Sequence, residues 1–261
     1  MRNNFVRERL RAGEATIGSF MGLGSPNVAE LMAHAGYDWL VIETEHNALD
    51  AAETQHMLMA MNGTNVIPIV RLPSMHPVYI QRALDIGAMG IVVPMVNTAE
   101  EARAVVSATR YPPTGTRGFG PLRASHYTYD NEDYFTRAND HILVVFIIET
   151  KEAIDNLEAI AAVEGVDVLF IGPADLSIAL GRNPLGPPSA ELNAAVERAL
   201  EVGRKTGVAI GKGGSTPEEI RALQARGFTW VAYGPDYFLL RGAINAGINA
   251  FSRTKVAATK S

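Results

Sequence analysis

Short β-branched runs alternate with segments of helical period along the length of the chain. The runs fall at Thr16 to Phe20, Trp39 to Glu43, Val66 to Val70, Gly90 to Pro94, Leu143 to Ile148, Val168 to Ile171, Val208 to Gly211 and Trp230 to Tyr233, and each reads as a strand. Between them lie segments such as Ala190 to Lys205, where Leu192, Ala195, Val196, Ala199 and Leu200 recur at three and four positions while Glu191, Glu197, Arg198 and Arg204 fall elsewhere. That is the pattern of an amphipathic helix. Eight strand–helix repeats in 261 residues predict an α/β fold, a (β/α)8 TIM barrel, rather than an open doubly wound sheet with its glycine fingerprint after the first strand. Asn3-Asn4 is placed to cap an extra short N-terminal helix over the barrel bottom.

The longest departure from the repeat runs from Tyr111 to His141 and opens Pro112-Pro113-Thr114-Gly115-Thr116-Arg117-Gly118-Phe119-Gly120. A connection of that length predicts a functional segment, a lid or an interface. Its glycines give only a weak phosphate-loop signal, since no helix follows them directly and no Gly-Lys-Ser/Thr is present.

Composition narrows the function classes. A hydrophobic content of 47% supports a large core, and no polar tract divides the chain, so a single domain over residues 1–261 is expected. A net charge of -5 with interleaved signs offers no basic stripe for a phosphate backbone and argues against nucleic acid. The absence of cysteine removes disulfides, thiolate metal sites and cysteine nucleophiles. Charges at Arg2, Arg7, Glu8 and Arg9 stand where a signal peptide needs apolar residues, and no apolar run reaches membrane-spanning length. A soluble, cytoplasmic protein without a membrane partner is expected.

In a barrel of this kind chemistry gathers where the strands end and the following loops converge. Here the strands run into Glu43-Thr44-Glu45-His46, Arg71, Glu149, Gly172-Pro173-Ala174-Asp175, Lys212 and Gly234-Pro235-Asp236. Each alone has a structural explanation, as a helix cap or a local ion pair. Their recurrence at six strands is what points to one site. Glu149 and Asp175, on consecutive strands, offer the hard oxygens that suit a divalent cation.

These residues, in this order, together with Gly36-Tyr37-Asp38-Trp39, Leu84-Asp85-Ile86-Gly87-Ala88, Val93-Pro94-Met95-Val96-Asn97-Thr98, Arg110-Tyr111-Pro112-Pro113 and Phe170-Ile171-Gly172-Pro173-Ala174-Asp175-Leu176-Ser177, resemble the HpcH/HpaI family of class II 2-oxoacid (pyruvate) aldolases. The resemblance covers nearly the whole chain. It implies a divalent metal (Mg, Mn or Co) held by Glu149 and Asp175, chelating a 2-oxoacid and acting as a Lewis acid that stabilises the enolate. It implies that the turn Gly172, Pro173, Ala174 and Asp175 receives the substrate carboxylate, Pro173 at the first helical position leaving neighbouring backbone N–H groups free to donate. His46 matches the base, Glu43 its acidic partner, and Arg71 the donor to the developing oxyanion. The activity implied is reversible cleavage of a 4-hydroxy-2-oxoacid to pyruvate and an aldehyde. Alternatives are oxaloacetate decarboxylation or citrate-type condensation on the same site, and a non-catalytic oxoacid-binding protein. The family's assembly, a hexamer built as a trimer of dimers that exchange the last helix, implies a homo-oligomer in which Pro235 to Ile248 packs on a partner and Asp85 approaches a neighbour's site.

The chain departs from the family at three places near the site. It carries Glu43 where Asp is usual, Ile147 where Gln is frequent, and Gly211-Lys212-Gly213-Gly214 where apolar residues are usual. The longer Glu43 is expected to shift the base by about 1 Å, Ile147 to dry one side of the metal site, and the glycines to enlarge the pocket. Lys212 has three readings: a contact to an anionic substrate group, a Schiff-base nucleophile, and a solvent-facing lysine. The histidines His34, His56, His76, His126 and His141 are expected to be structural, with His126 and Tyr127 the best candidates for an exception.

Overall fold

In the computed structural model, which describes residues 1–251, parallel strands close on themselves in sequence order. They are β1 (Thr16–Met21), β2 (Trp39–Glu43), β3 (Ile67–Arg71), β4 (Gly90–Val93), β5 (Leu143–Ile148), β6 (Val168–Ile171), β7 (Ala209–Gly214) and β8 (Trp230–Tyr233), with β8 pairing back onto β1. The expected (β/α)8 barrel is therefore the fold, and the final residues of the expected domain, 252–261, lie outside the described part. β7 runs to Gly214, three residues beyond its expected end. A glycine-rich run reads as a loop in sequence, but here the ladder holds it, with Gly213 opposite Ala232 and Gly214 opposite Tyr233.

Strand alternation sorts the apolar residues into two layers. Trp39, Val41, Ile67, Ile69, Val92, Leu143, Val145, Ile147, Val168 and Trp230 fill the barrel interior, while Leu40, Ile42, Val70, Ile91, Val144, Phe146, Leu169 and Ile210 face the surrounding helices. Inside, the Trp39 and Trp230 rings stack at 3.7 Å and 2°, with Phe20 and Phe170 presenting edges to them. Burying a ring of this size stabilises the fold by roughly 3 kcal/mol. Gly211 makes room for it: a Cβ there would fall 2.8 Å from Phe170 and 2.9 Å from Trp230.

The bottom of the barrel is sealed. Asn4 caps the helix Phe5–Arg11 as expected, accepting from the Arg7 N–H, and its amide donates to the carbonyls of Met89 and His141 at 3.0 and 2.9 Å. From that helix the buried Arg7 guanidinium pairs with the buried Asp167 carboxylate at 2.8 Å, just ahead of β6. Val6 and Leu10 complete the plug against the interior layer.

The segment from Tyr111 to His141 also belongs to the bottom, because it joins the end of helix Ala99–Thr109 to the start of β5. Its anchors are there: Tyr111 N–H donates to Asn139, and Arg117 pairs with Asp85 at 2.8 Å between the rings of Tyr111 and Tyr134. The expectation that this connection is a lid is thereby corrected for its own barrel mouth. An αβ connection starts and ends at the end of the barrel opposite the chemistry. His126, at φ 52, is exposed and bonds to Asp130 within the same segment.

Candidate active site

The open end collects the inward-facing residues at the strand termini. Alternation from Trp39 and Val41 aims Glu43 inward, alternation from Ile67 and Ile69 does the same for Arg71, and Ile147 is followed two residues on by Glu149. Glu43 and Arg71 are opposite one another in the ladder, and Arg71 Nη1 donates to Glu43 Oε2 at 2.8 Å. The other Glu43 oxygen accepts the backbone N–H of Glu45 at 2.7 Å and of His46 at 3.3 Å. Glutamate at this position thus bridges the arginine and the turn that carries the histidine.

That arrangement changes the expected partner of His46. Glu43 takes the backbone N–H of His46, while the exposed imidazole has Nε2 3.6 Å from Glu45. Glu45 in turn forms an ion pair with Arg71 Nη2. The sequence does not single out Glu45, because any of the polar residues in Glu43-Thr44-Glu45-His46 is a fair candidate until the turn geometry is known. Burial raises the Glu45 carboxyl above its ordinary value, Arg71 and His46 oppose the rise, and Glu43 and Asp175 reinforce it.

Glu149 is buried, and its Oε1 accepts the N–H of Met95 at 2.8 Å. Met95 adopts a left-handed φ of 56°, and no sequence signal marks that donor. Desolvation raises the Glu149 carboxyl, with the Met95 N–H and Arg71 lowering it and Glu45 and Asp175 raising it. Its second oxygen has no protein donor among the described residues and faces Gly172, where a Cβ would fall 3.3 Å away. Ile147 is buried and packs beside the same glycine, its Cγ2 2.9 Å from where that Cβ would fall. Gly172 leads into helix Pro173–Ala179, with Pro173 in the first turn, so the N–H groups of Ala174 and Asp175 have no intrahelical acceptor. The exposed Asp175 carboxylate also lacks a donor among the described residues.

A divalent cation fits this set. Glu43, Glu45, Glu149 and Asp175 act on one another or on the same arginine, and Arg71 is the guanidinium set against them. Glu149 and Asp175 keep hard oxygens free of protein donors among the described residues. Among the described residues no group of three or more His, Asp or Glu is placed to hold a metal, so a cation here would complete its shell from water and substrate.

Lys212 does not join the mouth. Gly211 and Gly214 bracket it: a Cβ on Gly211 would meet the interior rings, while one on Gly214 would meet Glu219, Ile220 and Leu223 of the outer helix Pro217–Arg226. Lys212 shares the outward face with Gly214 and is half-buried there. Desolvation lowers its amine, with Arg226 adding to the effect and Glu219 opposing it. The expectations of a substrate contact and of a Schiff-base nucleophile at Lys212 are therefore corrected. Gly213 is the inward residue, and among the described residues only Ala232 lies within 4 Å of the Cβ it lacks.

The profile of the HpcH/HpaI aldolase/citrate lyase family matches residues 16–243. The chain belongs to that family. It is 43% identical over 243 residues to a hydroxypyruvate/pyruvate aldolase of Deinococcus radiodurans, covering 92% of this chain and 87% of that one. It is 42% identical to a 4-hydroxy-2-oxo-heptane-1,7-dioate aldolase of Klebsiella pneumoniae, over 92% of this chain and 91% of the other. The crystal structure of an HpcH/HpaI aldolase/citrate lyase family protein from Burkholderia cenocepacia superposes with a TM-score of 0.90 at 33% identity, covering 95% and 98% of the two chains. As a member of an aldolase family with these relatives, the protein is an enzyme of the lyase type. No helix of the described residues is long and apolar enough to cross a membrane.

Proposed function

We propose that the protein is a divalent-metal-dependent aldolase that cleaves a 4-hydroxy-2-oxoacid to pyruvate and an aldehyde, and that runs in reverse as a carboligase. The observation that carries this is the charge of the mouth: Glu43 and Glu45 pair with Arg71, Glu149 feels Arg71, Glu45 and Asp175, and among the described residues the carboxyls of Glu149 and Asp175 keep oxygens without protein donors. Glu149 and Asp175 would hold a cation of the Mg, Mn or Co type, which would supply Lewis acidity to the bound oxoacid.

The chain's own groups divide the remaining work. First-turn N–H groups of Ala174 and Asp175, beyond Gly172 and Pro173, receive the substrate carboxylate. Arg71, fixed from two sides by Glu43 and Glu45, holds permanent positive charge where an oxyanion develops. His46, exposed at the rim with Glu45 beside its ring, moves the proton between solvent, substrate hydroxyl and enolate carbon, directly or through a water. Ile147 excludes water from the flank of Glu149.

The last helix, Asp236–Ala250, supports self-association: Leu240, Ile244 and Ile248 lie exposed at intervals of four on it. A homo-oligomer, a hexamer built from dimers, is the assembly proposed. Release of pyruvate from 4-hydroxy-2-oxoacids of graded chain length, lost in EDTA and restored by Mg or Mn, tests the activity. Undiminished release in EDTA would remove the metal from the account.

A further inference from the structure

Tyr237 opens the last helix, yet its ring is turned back over the barrel mouth. A Cβ on Gly22 would fall 2.9 Å from the Tyr237 Cε1 atom and 3.3 Å from the Asn47 amide nitrogen, so phenol, glycine and amide converge at one point of the rim. Gly22 follows Met21, which pairs with Ile42, and the next residue of β2 is Glu43. The ring therefore stands beside the Glu43–Arg71 pair.

The ring is held there by a buried anchor. Asp236 accepts the backbone N–H groups of Gly22, Leu23 and Tyr237 at 2.8, 3.0 and 2.8 Å, tying the end of β1 to the loop after β8. The ring also packs on Phe238, with centroids 5.0 Å apart. Its hydroxyl has no hydrogen-bond partner among the described residues, which leaves it free to donate and accept. Burial raises the phenol above its ordinary value, and Asp236 and Glu43 add to the rise while Arg241 and Arg71 oppose it, in keeping with a hydroxyl that reaches the mouth.

Glu149, Asp175 and the 172–175 turn lie at the ends of β5 and β6, while Gly22, Glu43 and Asn47 belong to β1, β2 and the loop beyond. The oxoacid portion takes the former side, so the aldehyde-derived portion points to the latter. We propose that Tyr237 is a specificity-determining residue whose hydroxyl, with the Asn47 amide beside it, binds a hydroxyl group on the aldehyde portion of the substrate. The acceptor class is then a hydroxyl-bearing aldehyde. This rests on the aldolase reading above, and the experiment separates the two.

The purified Mg-loaded protein is assayed for addition of pyruvate to glycolaldehyde and to propanal, which match in size and differ in the hydroxyl. In parallel, exchange of pyruvate methyl protons into deuterated water is followed with no aldehyde present. A site built to hydrogen-bond a hydroxyl discriminates against the apolar analogue. Tyr237→Phe is expected to lower kcat/KM for glycolaldehyde about tenfold and to leave propanal within about twofold, while methyl-proton exchange keeps its rate. Tyr237→Leu should lower both aldehydes and again spare exchange. An unchanged glycolaldehyde-to-propanal ratio in Tyr237→Phe would overturn the proposal, as would a parallel loss of exchange, which marks a general structural role. Absence of exchange in the unmodified Mg-loaded protein would instead overturn the aldolase reading, and this inference with it.

Discussion

Arg71 Nη1 donates to Glu43 Oε2 at 2.8 Å across directly opposed last positions of β2 and β3. Its other terminal nitrogen pairs with Glu45, so one planar group is fixed by two carboxylates. Lysine has one point charge and no fork. Arg71→Lys is expected to reduce kcat for pyruvate release about 100-fold with a smaller change in KM. A variant within threefold of the unmodified protein would show that this geometry does not serve the reaction.

Glu149 carries a pH signature. Its carboxyl is raised above the ordinary 4.5 by burial first, so the folded chain holds that proton more tightly than the unfolded chain. In metal-free protein the group therefore costs stability as pH rises from about 4.5 through its raised value. Glu149→Gln removes that cost. At pH 7.5 in EDTA its Tm should rise above that of the unmodified protein. Manganese should raise the Tm of the unmodified protein and not that of the variant. The opposite order in either comparison would contradict the proposed ligand role.

β7 offers a paired test of strand alternation. Lys212 faces the outer helix and Gly213 faces the mouth. Lys212→Ala should leave kcat and KM within about twofold, the usual range for changes away from a site, and borohydride with pyruvate should give no adduct at Lys212. Gly213→Val should raise KM about tenfold by filling the mouth. An inactive Lys212→Ala protein that remains folded would reverse the assignment of the two faces.

The exposed row on the last helix predicts assembly. Ile244→Asp sets a charge at the centre of Leu240, Ile244 and Ile248. Light scattering should show the mass falling from that of the oligomer toward that of smaller species. An unaltered mass would place the interface elsewhere.

The strands were legible because β-branched runs such as Leu143 to Ile148 need no tertiary information to declare themselves. The fold was legible for the same reason and the family from its motifs, while the candidate residues of the mouth from Glu43 to Asp175 could be proposed because each follows a recognisable strand. Three features were not. The apolar run ends at Gly211, so the sequence leaves Lys212 open between the mouth and solvent, and the ladder that continues through Gly214 decides which face each residue takes. The 111–141 segment reads equally as a lid or an interface, because length alone does not say which end of the barrel a connection closes. Glu45, Met95 and Tyr237 depend on backbone turns and on contacts distant in sequence, which no local pattern encodes.

The central claim is that Glu149 and Asp175 hold a cation that makes the methyl protons of pyruvate labile. Exchange of those protons into deuterated water, followed by NMR with Mg, tests it without knowledge of the aldehyde. The account predicts exchange by the unmodified protein, abolished by EDTA and reduced at least about 100-fold in Glu149→Gln. Exchange at the full rate in EDTA, or in the folded variant, would contradict it.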